Sequence, residues 1–246
     1  MDNDRIVVVT GGAGGIGSKV VDRFLANGDK IFAIDNRSDA LKTLLQTRDA
    51  ESRLVALVGD VSKERDTRGF ADSIQAKAGR VDVLINCAGH YPIVPFEKMT
   101  FEEWQQIIAI NLSGAFLMVS SLLPLMRGRG WGRIINIASA SVFEGVVGQT
   151  HYVAAKNGLI GFSRSLAMEV GDYGITVNCV APGLTVTEPV KRGMPGPLIE
   201  AQRAVRALKR DEQPEDLAGP VFFLASPEAN FMSGQMLVVD GGKIKY

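Results

Sequence analysis

Ile6-Val7-Val8-Val9-Thr10-Gly11-Gly12-Ala13-Gly14-Gly15-Ile16-Gly17 is the stretch whose reading decides the fold. Its apolar, β-branched opening reads as a strand. After it, Ile16, Val20, Val21, Phe24 and Leu25 form one apolar stripe at helical spacing, with Gly28 placed as a C-terminal stop. Between strand and helix, glycines let the chain turn tightly and bring backbone N–H groups and the positive end of the helix up to an anion. Two registers fit the string: Gly12, Gly14 and Gly17 satisfy G-x-G-x-x-G, while Thr10, Gly11, Gly15 and Gly17 satisfy T-G-x-x-x-G-x-G. A glycine motif alone is weak evidence. One that follows a strand and opens an amphipathic helix points to the pyrophosphate of a dinucleotide.

The same alternation continues along the chain. Apolar runs occur at Ile6–Thr10, Lys30–Asp35, Leu54–Gly59, Val81–Cys87, Arg133–Ala138, Thr176–Ala181 and Gln235–Asp240, with stretches of helical spacing between them. Strands that are nearly continuous in apolar residues and separated by helices predict a parallel sheet covered on both faces, a doubly wound α/β domain. No linker divides the 246 residues, so one domain spans the chain. The rhythm breaks only at residues 188–213, where Pro189, Gly193, Pro195, Gly196 and Pro197 lead into the charged, helix-prone stretch 198–210. This insertion is expected to lie over the site as a lid.

Composition excludes other classes. With 46% hydrophobic residues, 27 Lys+Arg against 27 Asp+Glu and two cysteines, the chain is neither disordered nor a disulfide scaffold, and it has no global basic field for nucleic acid. Its start, Met1-Asp2-Asn3-Asp4-Arg5, is acidic and runs into a short apolar segment, unlike a secretory signal. Residues 107–126 carry no charge, but Asn111, Ser113, Gly114, Ser120, Ser121 and Pro124 are poorly suited to hydrocarbon. A buried helix is expected there, with no membrane association and a cytoplasmic location.

The second strand ends in Asp35-Asn36-Arg37, eighteen residues after Gly17 for the acid. A carboxylate there accepts both hydroxyls of an adenosine ribose and opposes a 2′-phosphate, which favours NAD over NADP. Arg37 offers the opposite charge two residues on. Farther along, Tyr152 and Lys156 share one helix face at a spacing of four. The ammonium is expected to draw the Tyr152 pKa below its usual value of about 10, toward general acid or base work.

Taken in order, Thr10 to Gly17, Asp60-Val61, Asn86-Cys87-Ala88-Gly89, Asn111, Ser139, Tyr152 with Lys156, Pro182-Gly183 and Asp240-Gly241-Gly242 resemble the motifs of the short-chain dehydrogenase/reductase family over essentially the whole chain. The resemblance implies a Rossmann-type sheet of seven parallel strands in the order 3-2-1-4-5-6-7. It implies hydride transfer between a nicotinamide cofactor and a small-molecule alcohol or ketone, in a homotetramer or at least a homodimer.

Ser139 would bond the substrate oxygen, Tyr152 would transfer the proton, and Lys156 would tune Tyr152 and hold the nicotinamide ribose. Asn111 would hold a water of the proton relay. Gly11, Gly14, Gly15, Ile16, Gly17, Asp35, Asn36, Asp60, Val61, Asn86, Ala88 and Gly89 would bind the adenosine, pyrophosphate and ribose. Pro182, Gly183, Thr185 and Thr187 would hold the carboxamide. The chain departs from the family at Cys87, usually Asn, and at Thr185, usually aliphatic.

Cys87 and Cys179 are expected on strands separated by a third, beyond disulfide reach, as free thiols of the core in a reducing compartment. No cysteine and histidine cluster has metal-ligand spacing, so no metal is expected. His90, Tyr91, Ser141, Phe143 and Gln149, with Ile93, Val94 and Val142, are positioned to line a mainly apolar and aromatic substrate pocket. His151, beside Tyr152, either touches substrate or lies exposed in a loop.

The stretches 90–104 and 130–139 are similar to those of bacterial aromatic alcohol dehydrogenases, which implies oxidation of an aryl carbinol. Two alternatives stand beside that reading. One is a 3-oxoacyl-thioester reductase, with Arg127, Arg129 and Arg133 as a dock for an acidic carrier. The other is a cofactor-binding regulator without turnover, against which the intact Asn111, Ser139, Tyr152 and Lys156 speak. The apolar helices around 107–126 and 152–168 are expected to pair between subunits.

Overall fold

The computed structural model describes residues 5–48 and 53–245, so the acidic start of the chain lies outside the described residues. Strands β1 (Ile6–Thr10), β2 (Lys30–Asp35), β3 (Leu54–Val58), β4 (Val83–Asn86), β5 (Gly132–Ile137), β6 (Ile175–Pro182) and β7 (Met236–Val239) alternate with nine helices among the described residues. These are α1 (Gly15–Ala26), α2 (Ser38–Gln46), α3 (Glu64–Ala78), α4 (Phe101–Ile108), α5 (Gly114–Met126), α6 (Thr150–Val170), α7 (Glu188–Gly193), α8 (Gly196–Val205) and α9 (Glu215–Leu224). The strands form one parallel sheet in the order β3-β2-β1-β4-β5-β6-β7, as expected. The reversal of winding lies between β1 and β4, where an open α/β sheet binds its ligand outside the strand ends.

Period-two alternation divides the core. Val7, Val9, Ile31, Ala33, Val83 and Ile85 pack with Val21 and Phe24 of α1, Leu41 of α2, and Leu217 and Val221 of α9. Val8, Phe32, Ile34, Leu84 and Ile134 face the other way, onto Phe70 and Ile74 of α3, Met118 and Leu122 of α5, and Val170 at the end of α6. Every residue of β1 and β4 is buried, which explains why these strands read as unbroken apolar runs. Both cysteines are free, and β5 separates them: Asn86 pairs with Asn136, and Asn136 with Cys179. Cys179 is buried, whereas Cys87 is only half-buried.

The apolar segment expected as one buried helix is instead α4, a wide turn at Ala109–Ser113 with five-residue hydrogen-bond spacing, and α5. A capping box starts it: Thr100 Oγ1 accepts from the Glu103 N–H at 3.2 Å, and Glu103 Oε2 from the Thr100 N–H at 2.8 Å. The stretch Phe101–Met126 is long and apolar enough to cross a membrane by length and composition. Here α5 is built into the layer beneath the sheet, with Met118 and Leu122 fully buried, but only 39% of the most apolar window is covered. Phe101, Phe116 and, on α6, Met168 stand 66%, 53% and 85% exposed. The buried-helix expectation therefore holds for one face only.

A polar thread crosses the C-terminal half of the sheet. Asn86 donates to Asn136 Oδ1 at 2.8 Å, Asn136 to Ser163 Oγ at 2.8 Å, and Ser163 to the Leu159 carbonyl at 2.7 Å. At the mouth of the sheet, Thr10 Oγ1 accepts from the N–H groups of Cys87 (3.0 Å) and Ala88 (3.1 Å), joining the turn after β1 to the loop after β4. Thr10→Val keeps the shape and leaves two donors unpaired. It is expected to lower the unfolding free energy by about 2 kcal/mol in urea titration; a change within error would show that the two loops do not depend on this hydroxyl.

Candidate active site

The turn after β1 is shaped by backbone approaches that no side chain would permit. Gly11 lies in the left-handed region (φ +63°), and a Cβ there would stand 2.9 Å from the Ala88 Cα. A Cβ on Gly17 would stand 2.1 Å from the Gly11 carbonyl oxygen. The start of α1 is thereby pressed against the turn, with Gly14 as its N-cap and no side chain capping it. Its first N–H groups are open to an anion.

Asp35, buried at the end of β2, accepts from the Ala13 N–H at 3.2 Å. Arg37 donates to both carboxylate oxygens, from Nε at 3.0 Å and Nη2 at 3.1 Å, and its own N–H adds a third bond at 3.1 Å. Acid and base are therefore partners. Asn36 is exposed beside them. Asp60 Oδ1 accepts from Ser62 N–H and Oγ at 2.9 and 2.8 Å, and Val61 packs against Gly114.

Deeper in, Asn111 sits buried in the wide turn between α4 and α5. Its amide donates to the carbonyls of His90 (2.8 Å) and Ile107 (3.1 Å), and its Oδ1 accepts from the His90 N–H at 3.3 Å. This pins the loop after β4. Gly89 makes room, since a Cβ there would stand 3.0 Å from Asn111 Oδ1 and 3.7 Å from Lys156 Nζ. Lys156 is buried and donates to the Ile137 carbonyl at 2.7 Å. Thr10, Asn86, Asn111, Gly114 and Lys156 help to line a cavity of about 10 Å³, a size that suits one water molecule.

Tyr152, one turn before Lys156 on α6, is half-buried, with the Lys156 Nζ 5.6 Å from its ring centroid. Burial pushes the phenol up to about 12, opposed by its hydrogen bond with Ser139. Burial pushes the Lys156 ammonium down to about 8. The expectation that Lys156 alone draws Tyr152 downward is thus corrected: in the protein by itself, desolvation outweighs the nearby cation, whose proton is committed to a backbone carbonyl. Ser139 Oγ also accepts from Ser141 Oγ (2.9 Å) and N–H (3.2 Å), so Ser141 orients Ser139.

Around this centre Tyr91 stacks edge-on against Tyr152 at 6.3 Å, and Gln149 donates to the Tyr91 carbonyl at 3.4 Å. Val94 N–H bonds the Gly148 carbonyl at 2.8 Å, which joins the two loops of the mouth. Tyr91, Ile93, Phe143, Val146 and Val147 are exposed, as is His90. His151 is not: it is fully buried, its Nδ1 accepts from the Tyr152 N–H at 2.9 Å, and burial holds its pKa down. It is therefore not an exposed loop residue but part of α6.

Arg133 is also fully buried, 4.2 Å from the Trp131 ring centroid, while Arg129 lies 3.9 Å from Asp82. Arg133 therefore cannot belong to a surface dock for an acidic carrier, whereas Arg127 and Arg129 are exposed.

The insertion folds as α7 and α8. Lys243 Nζ bonds Gln202 of α8 at 2.7 Å and Glu144 of the mouth at 2.6 Å, bridging α8 and the loop. Thr185 turns its hydroxyl to buried Glu212 at 2.6 Å. Neither Lys243 nor Glu212 carries a local sequence signal, because both act through partners tens of residues away.

The arrangement fits a nicotinamide dinucleotide: a cradle that a Cβ would fill, an uncapped helix start, and two buried acceptors, Asn86 Oδ1 and Thr187 Oγ1, with no hydrogen-bond partner among the described residues. A phenol, two hydroxyls and an ammonium converge beside it. The family model for short chain dehydrogenases matches residues 5–195. The acetoacetyl-CoA reductase of Cupriavidus necator is 37% identical over 240 residues, 97% of each chain. The levodione reductase of Leifsonia aquatica is 34% identical, over 98% of this chain and 94% of the relative. The crystal structure of a short-chain dehydrogenase/reductase (glucose/ribitol dehydrogenase) from Brucella melitensis superposes with a TM-score of 0.94 at 28% identity, covering 100% of this chain and 98% of that one.

Lys156 supplies a test of the buried electrostatics. Its folded pKa near 8 lies below the unfolded value of about 10.4, so the unfolded chain holds the extra proton between those limits and this group's contribution to stability rises with pH across them. Lys156→Met is expected to be more stable than wild type at pH 7, with the gap narrowing from pH 8 to 10 in urea titrations. A gap independent of pH would show that Lys156 does not lose its proton in this range.

Proposed function

The chain belongs to the short-chain dehydrogenase family, and from that premise we propose that it is a nicotinamide-dependent oxidoreductase that interconverts a secondary alcohol and its ketone, with NAD(H) preferred. The observation that carries this reading is the convergence of Ser139, Tyr152 and Lys156 beside the glycine cradle. Bound nicotinamide would supply the hydride acceptor or donor.

The chain's own residues do the rest. Ser139, held by Ser141, is placed to donate to the substrate oxygen and to steady charge that develops there. Tyr152 carries the proton to or from that oxygen. Its high pKa in the protein alone keeps it neutral and ready to donate; a positive charge brought near it would lower that value toward the working range. Lys156, anchored on the Ile137 carbonyl, places its charge one turn behind the phenol. Asn111 holds the His90 loop and lines the one-water cavity through which a proton would pass toward solvent.

The NAD preference rests on Asp35, whose buried carboxylate ends β2 where a 2′-phosphate would have to sit. Arg37 neutralises part of that repulsion, which leaves room for weaker use of NADP. For the substrate, the relatives favour a 3-oxoacyl thioester, since one of the most similar is an acetoacetyl-CoA reductase. A second reading, an aryl alcohol, is supported by the aromatic mouth of Tyr91 and Phe143. We further propose assembly through the exposed apolar face of Phe101, Phe116 and Met168, and a soluble, cytoplasmic protein.

Acetoacetyl-CoA with NADH and 1-phenylethanol with NAD⁺, each repeated with the 2′-phosphorylated cofactor, separate these readings. Wild type is expected to turn over at least one pair, and Tyr152→Phe to lose about 10²-fold or more of kcat. Cofactor binding without turnover across a broad ketone panel would instead support the regulator reading. For the cofactor, kcat/KM is expected to favour NAD(H) by about tenfold or more, a ratio of about 1.4 kcal/mol, and Arg37→Ala to widen it by removing the cation that pairs with Asp35. An unchanged or narrowed ratio in Arg37→Ala would refute the role assigned to Arg37.

A further inference from the structure

Thr185 and Glu212 meet where the chain leaves the sheet for the insertion and where it returns. Thr185 stands where the family usually has an aliphatic side chain, and its buried hydroxyl donates to Glu212 Oε1 at 2.6 Å. The Gly183 N–H donates to Glu212 Oε2 at 3.1 Å, and the Val186 N–H to the Glu212 carbonyl at 2.8 Å. Arg206 completes the cluster: Nη2 donates to the Leu184 carbonyl at 2.8 Å and lies 3.7 Å from Glu212 Oε2. Glu212 and Arg206 are only 5% and 2% exposed. A carboxylate so deeply buried is tolerated because each oxygen has a donor and a cation lies nearby.

Two residues beyond Thr185, Thr187 closes over the glycine cradle. Its Cγ2 stands 2.5 Å from the place a Cβ on Gly15 would occupy, and its hydroxyl is buried without a partner among the described residues. Pro182–Thr187 is the segment that the family resemblance matches to the carboxamide end of the cofactor.

We infer that Glu212 is a positioning residue for the nicotinamide end of the cofactor: through Thr185 and Gly183 it sets the place of Thr187 over the cradle, and through Arg206 it ties that place to the returning end of the insertion. The inference rests on the cofactor reading above. A hydroxyl at 185 and an acid at 212 thus form one device, although 27 positions separate them. Asp35, on the adenosine side, bonds Ala13 and Arg37 and none of Thr185, Glu212 or Arg206 among the described residues.

Titration of wild type, Thr185→Val, Thr185→Ser and Glu212→Gln with NADH and with ADP-ribose tests this. ADP-ribose carries the adenosine, pyrophosphate and ribose but no nicotinamide. Thr185→Val and Glu212→Gln are expected to weaken NADH about five- to tenfold, leave ADP-ribose within about twofold, and Thr185→Ser to restore NADH binding. Thr185→Val keeps the shape of the side chain, so the test does not depend on Glu212→Gln folding. An equal loss for both ligands would make the clasp a general structural element and overturn the inference. So would unchanged NADH binding in Thr185→Val. Wild type that binds neither NADH nor NADPH would overturn the cofactor reading itself.

Discussion

The approach of Gly17 to the Gly11 carbonyl, closer than any Cβ permits, is the constraint on which the upper face of the protein depends. It presses the start of α1 onto the turn after β1 and leaves the first N–H groups of the helix facing outward over the sheet. The same turn carries Thr10, whose hydroxyl holds the loop after β4. That loop is in turn held by Asn111, from the far side, through His90. Turn, helix start, β4 loop and the wide turn between α4 and α5 are therefore linked by short contacts. A displacement at the first would reach the last.

Above this frame the site is held by buried polar groups that the fold would be more stable without. Lys156 is a cation in a low-dielectric position with one backbone carbonyl as its acceptor, and burial lowers its affinity for the proton. Tyr152 is pushed the opposite way for the same reason: in each case desolvation disfavours the charged form. Asn86 and Thr187 each keep a buried oxygen without a partner among the described residues. Such groups cost stability when the protein stands alone, and this is the expected pattern where a site is preorganised for something that brings charge and hydrogen bonds with it.

Much of this was legible in the sequence because the responsible interactions are local or periodic. The glycine string, the alternation of strand and helix, and the four-residue spacing of Tyr152 and Lys156 all express short-range geometry. Elsewhere the outcome depends on partners far along the chain. Nothing beside Thr185 announces Glu212, and nothing in residues 107–126 distinguishes a fully buried helix from one with a bare face, since the stretch carries no charge on any side. For His151 the sequence leaves a substrate contact or an exposed loop, yet it lies in the first turn of α6 and is covered entirely. The Tyr152 pKa went the other way because a nearby cation is visible in a sequence and the extent of desolvation is not.

The two halves of the site are built from different material, and that difference bears on why its substrate is harder to read than its cofactor. The cofactor side consists of backbone approaches and buried hydrogen bonds, where one methyl group or one missing donor has a large cost and few residue types are tolerated. The side proposed for the substrate consists of exposed apolar and aromatic side chains on the loops around Tyr91 and Phe143, together with α7 and α8. Gly193 and Gly196 there have open space around their missing side chains, so no contact restricts what stands in their place. The insertion is nonetheless anchored, by Glu212 and Arg206 where it runs into α9 and by the Lys243 bridge from Gln202 to Glu144. Anchors at these points, with open space at Gly193 and Gly196, would let a wall over the proposed substrate side change while the cofactor loop keeps its place. On the proposed reading, relatives named for acetoacetyl-CoA and for levodione can share this frame, with the residues that tell such substrates apart lying where packing imposes least.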